Sequence, residues 1–374
     1  MTLDKTDILH VTFDMCLGGT EQVIRQLIEN SDAEKFNHQI ICIDGKVGEL
    51  GALLRNHGIP ITSMSRGAGL DTRLIKELRA FIKSNQIDVL HCHQYTPYIY
   101  GILASFGTKA RVIFTEHGRF YPDSYKWKRF VVNPLLSIFT DAITAISQAT
   151  ANALNRFENF PKSKVQVVYN GIKYHGNTEI SAAEKTHLRE QLDVAPDSFL
   201  FGTISRLDPI KNHTMMLRAF ADVVKERNEA QMVIIGDGPE RDTLEKLVLE
   251  LGIQASVVFT GFIVEPQKFI AAFDTFLLPS LSEGTSMTLL ESMSYRCPSI
   301  VTNVGGNPEI VVNEETGIVI ENEDEQALSA SMLRLMADKT LRAKFGDAAF
   351  DRYFAKFSEA NMVSSYEHLY EKSK

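Results

Sequence analysis

Two carboxylates eight positions apart, Glu283 and Glu291, stand in the stretch LPSLSEGTSMTLLESMSYRCPSIVT at residues 278–302. Glu283 lies in a Gly/Ser/Thr-rich turn after a predicted strand, and Glu291 lies on the helical segment that follows. A carboxylate can accept two hydrogen bonds from a vicinal diol. Glu291 could therefore hold a ribose and Glu283 the hydroxyls of a sugar; the alternative is an ordinary helix acid and an ordinary loop charge. Between them, the amides of Gly284, Thr285 and Ser286 are placed to donate to phosphate or sugar oxygens at a helix start.

A second cluster is GTISRLDPIKNHT, where Arg206 ends a predicted strand and Lys211 precedes a helix for which Asn212 is the expected cap. Two cations beside a helix N-terminus make an anion site that fits a diphosphate, the guanidinium as a fork and the ammonium as a point charge. In isolation the pair could equally be solvated loop charges. Near the start, MCLGGTEQ places Gly18 and Gly19 between the first strand and its helix, either as a plain tight turn or to let a backbone amide approach a ligand. The dinucleotide fingerprint G-x-G-x-x-G is absent there. In FTEHGRF, His117 just past a strand end could donate to a sugar hydroxyl or be a packed core histidine, while Glu116 reads as structural.

These residues need strand ends to sit on. ILHVTF (8–13), HQIICI (38–43), DVLHCH (88–93), RVIFTEHG (111–118) and DAITAIS (141–147) alternate with helical sequence, which implies crossover units and a parallel sheet buried on both faces. The pattern repeats in SFLFGTIS, QMVIIGDG, SVVFTGF, TFLLPS and PSIVTN. Met216, Ala219, Phe220, Val223 and Val224 follow the helical period, as do Leu244, Leu247, Val248 and Leu251. Two doubly wound, Rossmann-like domains are expected, over residues 1–170 and 171–356, with the turn-rich VYNGIKYHGNTEI as their joint. The C-terminal segment 357–374 carries Met362, Val363, Tyr366, Leu369 and Tyr370 on one helical face and should pack back on the first domain. Ligands bind such folds at the carboxyl ends of the strands, so a cleft between the domains is the expected site. His91 and His93, an H-x-H pair without acidic companions, make a weak metal site and are placed at the acceptor side of the cleft mouth.

Composition excludes several classes. The 374 residues are 44% hydrophobic, enough for two cores. The four cysteines are scattered without a CxxC pair, which points to reduced thiols and a cytoplasmic protein. Neither a signal peptide nor an apolar run long enough to span a bilayer is evident. The net charge of −8 divides into +3 for residues 1–180 (20 Lys/Arg, 17 Asp/Glu) and −11 for the rest (19 and 30), and nucleic acid is not an expected partner. In the mildly basic part, YKWKRFVVNPLLSIF (125–139) mixes cations and aromatics ahead of an apolar run. It could lie on the inner face of a membrane, or cover the sheet as an ordinary apolar helix. No D-x-D follows a strand to hold a divalent ion, and ENEDEQ (321–326) reads as a solvated helix start; no metal or cofactor is expected.

Together these motifs give the sequence a resemblance. SEGTSMTLLESMSYRCPSIVTNVGGNPEIV resembles the C-terminal signature of retaining nucleotide-sugar glycosyltransferases of family 4, with two glutamates, a Pro-containing strand and a Gly-Gly turn before Pro-Glu. SRLDPIKN, VIIGDGPERDTLEKL and VVYNGI are similar to other stretches of that family in the expected order, so the likeness spans nearly the whole chain. It implies a GT-B fold, with the donor on the C-terminal domain and the acceptor on the N-terminal one. It further implies that Arg206 and Lys211 bind the donor diphosphate, Glu283 the transferred sugar and Glu291 the ribose. By the same resemblance Gly18, Gly19 and His117 meet the donor, and Gly284, Thr285 and Ser286 lie against it. Many members carry an aromatic residue and a second glycine after Glu-Gly, whereas this chain has Gly284-Thr285-Ser286, which leaves the sugar open. The implied reaction is retaining, metal-independent transfer from a nucleotide-diphosphate sugar, with uridine as the family's habit, to a saccharide or lipid-linked acceptor in bacterial polysaccharide or glycolipid synthesis. A nucleotide-sugar 2-epimerase and a non-catalytic nucleotide-sugar binding protein are the alternatives.

Overall fold

A computed structural model describes residues 5–118, 125–174 and 180–371. Arg119 and Phe120 of the FTEHGRF motif, residues 175–179 of the turn-rich joint and the last three residues lie outside the described set. The chain divides into two compact units, Met1–Gly171 with Glu359–Lys374, and Ile172–Ser358.

The first unit is built on seven strands: β1 Thr6–Thr12, β2 Phe36–Cys42, β3 Ile61–Ser63, β4 Val89–His93, β5 Arg111–Glu116, β6 Ala142–Ala145 and β7 Val165–Val167. They pair in parallel in the order β3-β2-β1-β4-β5-β6-β7. The second unit has six: β8 Phe199–Ile204, β9 Ala230–Ile235, β10 Val257–Gly261, β11 Thr275–Leu278, β12 Ser299–Thr302 and β13 Gly317–Ile320. Their order is β10-β9-β8-β11-β12-β13, again all parallel. Helices cover both faces of such sheets, which is why β4 and β11 are buried along their whole length.

In each unit the strand order runs outward one way, returns to the middle and runs out the other way. The reversal falls between β1 and β4 in the first sheet and between β8 and β11 in the second. Loops after those strands diverge to opposite faces and leave a crevice, the place where doubly wound folds bind ligands.

The core of the second unit is packed largely by the helix His213–Glu226, whose Met216, Ala219, Phe220 and Val223 are fully buried against Phe201, Met232 and Ile234. The helix Glu359–Glu371 belongs to the first unit. Its Met362, Val363, Tyr366, Leu369 and Tyr370 join one apolar cluster with Ile8, Val23, Leu27, Phe36, Val89 and Ile113. Arg111 donates to the carbonyls of Leu369 and Tyr370, and Lys35 pairs with Glu371 at 3.0 Å, which fixes the end of that helix.

Candidate active site

At the reversal point of the second sheet, the loops after β8 and β11 are bound to each other. The Leu281 amide donates to the Ile210 carbonyl at 2.8 Å, and Lys211 Nζ lies 2.6 Å from Glu283 Oε1. Glu283 Oε1 also accepts from Ser280 Oγ at 2.7 Å. Its backbone carbonyl accepts from the Gly306 amide at 3.1 Å. That last contact needs a glycine beside it, because Gly305 has φ +51° and a Cβ there would stand 1.8 Å from the Glu283 carbonyl oxygen. The VGGNPE turn thus acts as a wedge that sets the height of Glu283. One carboxylate oxygen carries both partners, and Oε2 finds none among the described residues.

Arg206 sits two residues beyond β8. Its side chain is 72% exposed and 3.9 Å from Asp208, so the guanidinium is available to an anion. The loop that carries it is pinned by the next one: Leu207 donates to the Asp237 carbonyl at 3.0 Å, and Glu240 donates to the Leu207 carbonyl at 3.1 Å. Gly236 and Gly238 permit this, since a Cβ on either would meet the Ser205 or Leu207 carbonyl at 2.0 or 2.4 Å. The GDG of VIIGDGPER was the signal in the sequence, read there only as a strand end. Asn212 does not cap the helix at 213. It takes a left-handed φ of +54° and makes no capping bond, its side chain reaching Met215 Sδ instead. Asp208 accepts from the Ile210 amide and organises the short turn Pro209–Lys211 in its place.

His213, which sequence reasoning passed over, is buried next to Lys211 and hydrogen-bonded to Ser205 Oγ at 2.9 Å. Burial, and then the Lys211 charge, push its pKa down to about 4. It therefore packs the cation loop as a neutral ring and adds no charge of its own.

Ser286 caps the helix Met287–Ser294 by accepting from the Leu289 amide at 3.3 Å. The amides of Gly284 and Ser286 have no acceptor among the described residues, whereas Thr285 is buried. Glu291 lies on that helix, half-buried, and its carboxylate has no hydrogen-bond partner among the described residues. Burial raises its pKa to about 7. A carboxylate held this way is destabilised by poor solvation and is satisfied by a ligand that donates two hydrogen bonds.

In the first unit, Gly18 is extended and Gly19 opens the helix Gly19–Asn30. No positive φ or close backbone approach within the fold requires either glycine: a Cβ at Gly19 would meet nothing, and at Gly18 only the side chain of Glu21. Glu21 is the unexpected residue. Its carboxylate folds back over the helix start, and burial raises its pKa to about 7. The acid in the first turn of GGTEQ was the readable signal.

His117 follows β5 directly. Its Nε2 lies 2.9 Å from His93 Nδ1, and burial pushes its pKa down to about 3. His91 and His93 are not at a cleft mouth. Both are fully buried inside β4, His91 between Tyr370 Oη (2.9 Å) and Thr115 Oγ1 (2.7 Å). Their alternation places them in the pleat of a central strand, where both faces are covered. A cavity lined by Asp14, Asp44, Lys46, Arg66 and the 67–69 segment opens beyond the carboxyl ends of β1, β2 and β3. It draws on three separate loops, which no local motif announces.

Two family models match the chain, one described as Glycosyltransferase Family 4 over residues 17–174 and one as Glycosyl transferases group 1 over residues 184–352. The chain is 28% identical to the N-acetyl-alpha-D-glucosaminyl L-malate synthase of Bacillus anthracis, over 80% of this chain and 78% of that one. It is 27% identical to the UDP-Gal:alpha-D-GlcNAc-diphosphoundecaprenol alpha-1,3-galactosyltransferase of Escherichia coli, over 91% and 90%. The crystal structure of Anabaena Alr3699/HepE in complex with UDP matches with a TM-score of 0.85 at 20% identity, covering 98% of this chain and 99% of that one. Fold and comparisons together define a glycosyltransferase with two Rossmann-like units, the GT-B class. Within that class the chain belongs to glycosyltransferase family 4, whose members are retaining and use nucleotide sugars.

Proposed function

We propose that the enzyme transfers a hexosyl or related sugar from a UDP-sugar to a hydroxyl of a saccharide or lipid-linked acceptor, with the second unit holding the donor and the first the acceptor. The observation that carries this reading is the Lys211–Glu283 pair at the reversal of the second sheet, flanked by the exposed guanidinium of Arg206 and the open carboxylate of Glu291. An ammonium has three donors; one serves Glu283, and the remaining two are available to diphosphate oxygens. Glu283 Oε2 can accept from a hydroxyl of the donor sugar, Glu291 from the ribose diol, and the Gly284 and Ser286 amides can donate to donor oxygens. Uridine is supported by the UDP in the HepE complex and by the UDP-Gal named for the E. coli relative.

Departure of UDP builds negative charge on the β-phosphate oxygens, and Lys211 and Arg206, already in place, would stabilise that charge. Glu283 is assigned to sugar binding and not to nucleophilic attack: its Oε1 is engaged by a cation and a hydroxyl. Retention then follows from front-face entry of the acceptor, whose proton passes to the leaving phosphate. His117, as a neutral donor, would meet a hydroxyl of the donor sugar.

The lipid-linked acceptor is supported by the helix Trp127–Ile138. Its buried residues are Asn133 and Ser137, whereas Trp127, Val131, Leu135 and Ile138 are 60–73% exposed. A helix that covered a sheet would be turned the other way. Asn133 holds it by bonds to the Glu158 carbonyl (2.9 Å) and from Tyr95 Oη (2.7 Å), and Arg129 pairs with Glu158 at 2.8 Å. The apolar side, bordered by Lys126 and Lys128, suits peripheral contact with the inner face of an anionic membrane. No helix among the described residues is long and apolar enough to cross one.

Incubation with UDP-, GDP- and ADP-sugars, with and without polyprenyl-diphosphate-linked saccharides in vesicles, tests the reading. Release of UDP that requires acceptor supports it. Epimerised donor without acceptor, or donor binding without turnover under every acceptor condition, would replace it.

A further inference from the structure

Four histidines of the first unit form an unbroken chain across its sheet. His38 Nδ1 lies 3.0 Å from His10 Nε2, His10 Nδ1 3.0 Å from His93 Nε2, and His93 Nδ1 2.9 Å from His117 Nε2. They come from β2, β1, β4 and the residue after β5, which are neighbours in the sheet. Both ends stop at a buried nitrogen without a partner among the described residues, His38 Nε2 and His117 Nδ1. Burial drives all four imidazoles toward the neutral form, with pKa values of about 4 for His38 and about 3 for His117, and His10 and His93 well below the usual range.

A neutral imidazole has one N–H and one lone pair. Every link here joins an Nδ1 to an Nε2, so one choice fixes the others. If His38 carries its proton on Nδ1, His10 must accept at Nε2 and carry its own on Nδ1, and the same holds through His93 to His117. The reverse order puts every proton on Nε2. A mixed arrangement sets two protons or two lone pairs against each other inside a core that offers no water to relieve them.

We propose that His38, His10 and His93 are positioning residues for His117, a tautomer relay that makes its Nδ1 a proton donor. Each order strands one N–H. The all-Nδ1 form is favoured because it leaves that N–H on His117, half-buried at a strand end where a ligand oxygen can accept it, whereas the opposite form leaves it on buried His38 beside the rings of Phe36 and Tyr370, at centroid distances of 6.4 and 6.2 Å. The relay itself stands on geometry alone; its use in catalysis rests on the proposed placement of His117 against the donor sugar. His10, His91 and His93 lie close enough to one another to suggest a cation site. Both nitrogens of His10 and His93 are engaged in the chain, however, and both of His91 in bonds to Tyr370 and Thr115, so a cation would have to break the chain to bind.

Long-range proton–nitrogen spectra of the full-length protein labelled at histidine, assigned by single substitutions, locate the proton on each ring. We expect Nδ1 protonation on all four; any other distribution overturns the proposal. His38→Asp puts an acceptor-only group at the far end and should turn His117 into its Nε2-protonated form, with kcat lowered by about tenfold and the donor KM nearly unchanged. His38→Asn, which can donate or accept, should restore both. A His117 signal indifferent to His38→Asp overturns the relay, and where that variant does not fold, the wild-type spectrum decides. Responding spectra with unchanged turnover overturn the catalytic use, whereas full turnover in His117→Ala shows that the placement of His117 in the site has failed and not the relay.

Discussion

The two units share one topology and use it in opposite ways. Each sheet reverses its winding once, between β1 and β4 or between β8 and β11, and each places its polar residues beyond that point. The second unit fills the crevice with charge: an exposed guanidinium, a Lys–Glu pair and an open carboxylate. The first offers a glycine turn, the Glu21 carboxyl and the His117 imidazole, both of which burial pushes toward their neutral forms. Topology supplies the location and local residue choice supplies the chemistry. Net charge is a poor guide to either, since the proposed diphosphate site lies in the part of the chain that carries −11, not the part that carries +3.

The contrast breaks most decisively at Lys211. Lys211→Ala should lower kcat by about 10³-fold, the scale of losing one preorganised charge at a developing anion, and Arg206→Ala by about 10²-fold because that side chain is freer. Assays of UDP release in the presence of acceptor measure both. Near-wild-type turnover in Lys211→Ala would move the diphosphate elsewhere. On the neutral side, His117→Ala should cost about 10²-fold in kcat while UDP affinity, read by calorimetry, stays within about twofold. An equal loss of UDP affinity would mean that the first unit also grips the nucleotide.

Much of this was legible in the sequence, and the remainder was hidden for identifiable reasons. Strands and crossovers showed through alternating β-rich and helical runs, and the residue types at strand ends announced sugar and phosphate chemistry. The Lys211–Glu283 contact joins positions 72 apart, and no local pattern reports which loops a sheet order makes adjacent. The histidine chain has the same cause: His38, His10 and His93 come from three strands and His117 from the residue after a fourth, and only the registers of β1 against β2 and β4 and of β4 against β5 line them up. The strand-end position of His91 and His93 suggests the acceptor side of a cleft mouth, yet β4 is central and both pleat faces are covered. Asn212 failed as a cap because the turn Pro209–Lys211 delivers the chain to it in a left-handed conformation, which aims its side chain away from the helix amides.

Glu291 sharpens the comparison through pH. Burial raises its carboxyl to about 7, against about 4.3 in an unfolded chain. The folded state therefore binds the extra proton between those values, and the fold loses stability as pH rises through the window. Glu291→Gln removes that penalty, so it should raise Tm at pH 8 and change it little at pH 4. The same variant should weaken UDP-sugar binding by about tenfold at pH 8, because the ribose diol prefers the ionised acceptor. In the wild type, affinity should fall as pH drops below 7, while in the Gln variant it should be flat. Calorimetry from pH 6 to 8 separates the two, and a wild-type profile as flat as the variant's would remove Glu291 from the nucleotide site.

The smallest effect is expected where the first unit is proposed to meet lipid. Trp127, Leu135 and Ile138 are 73%, 60% and 65% exposed, and the helix is held from its other side by Asn133 and Arg129. Replacing these three by Ser should therefore leave Tm almost unmoved, because little buried area is lost. Binding to vesicles containing anionic lipid should fall by tenfold or more, since each side chain gives up about 1 kcal/mol or more of interfacial burial. Turnover of a vesicle-borne, lipid-linked acceptor should drop by only about threefold to tenfold, and turnover of a short soluble acceptor should not change. Equal losses on both acceptors would make the helix a structural element whose exposure has another cause, and the neutral unit would then lose its claim to a membrane-facing side.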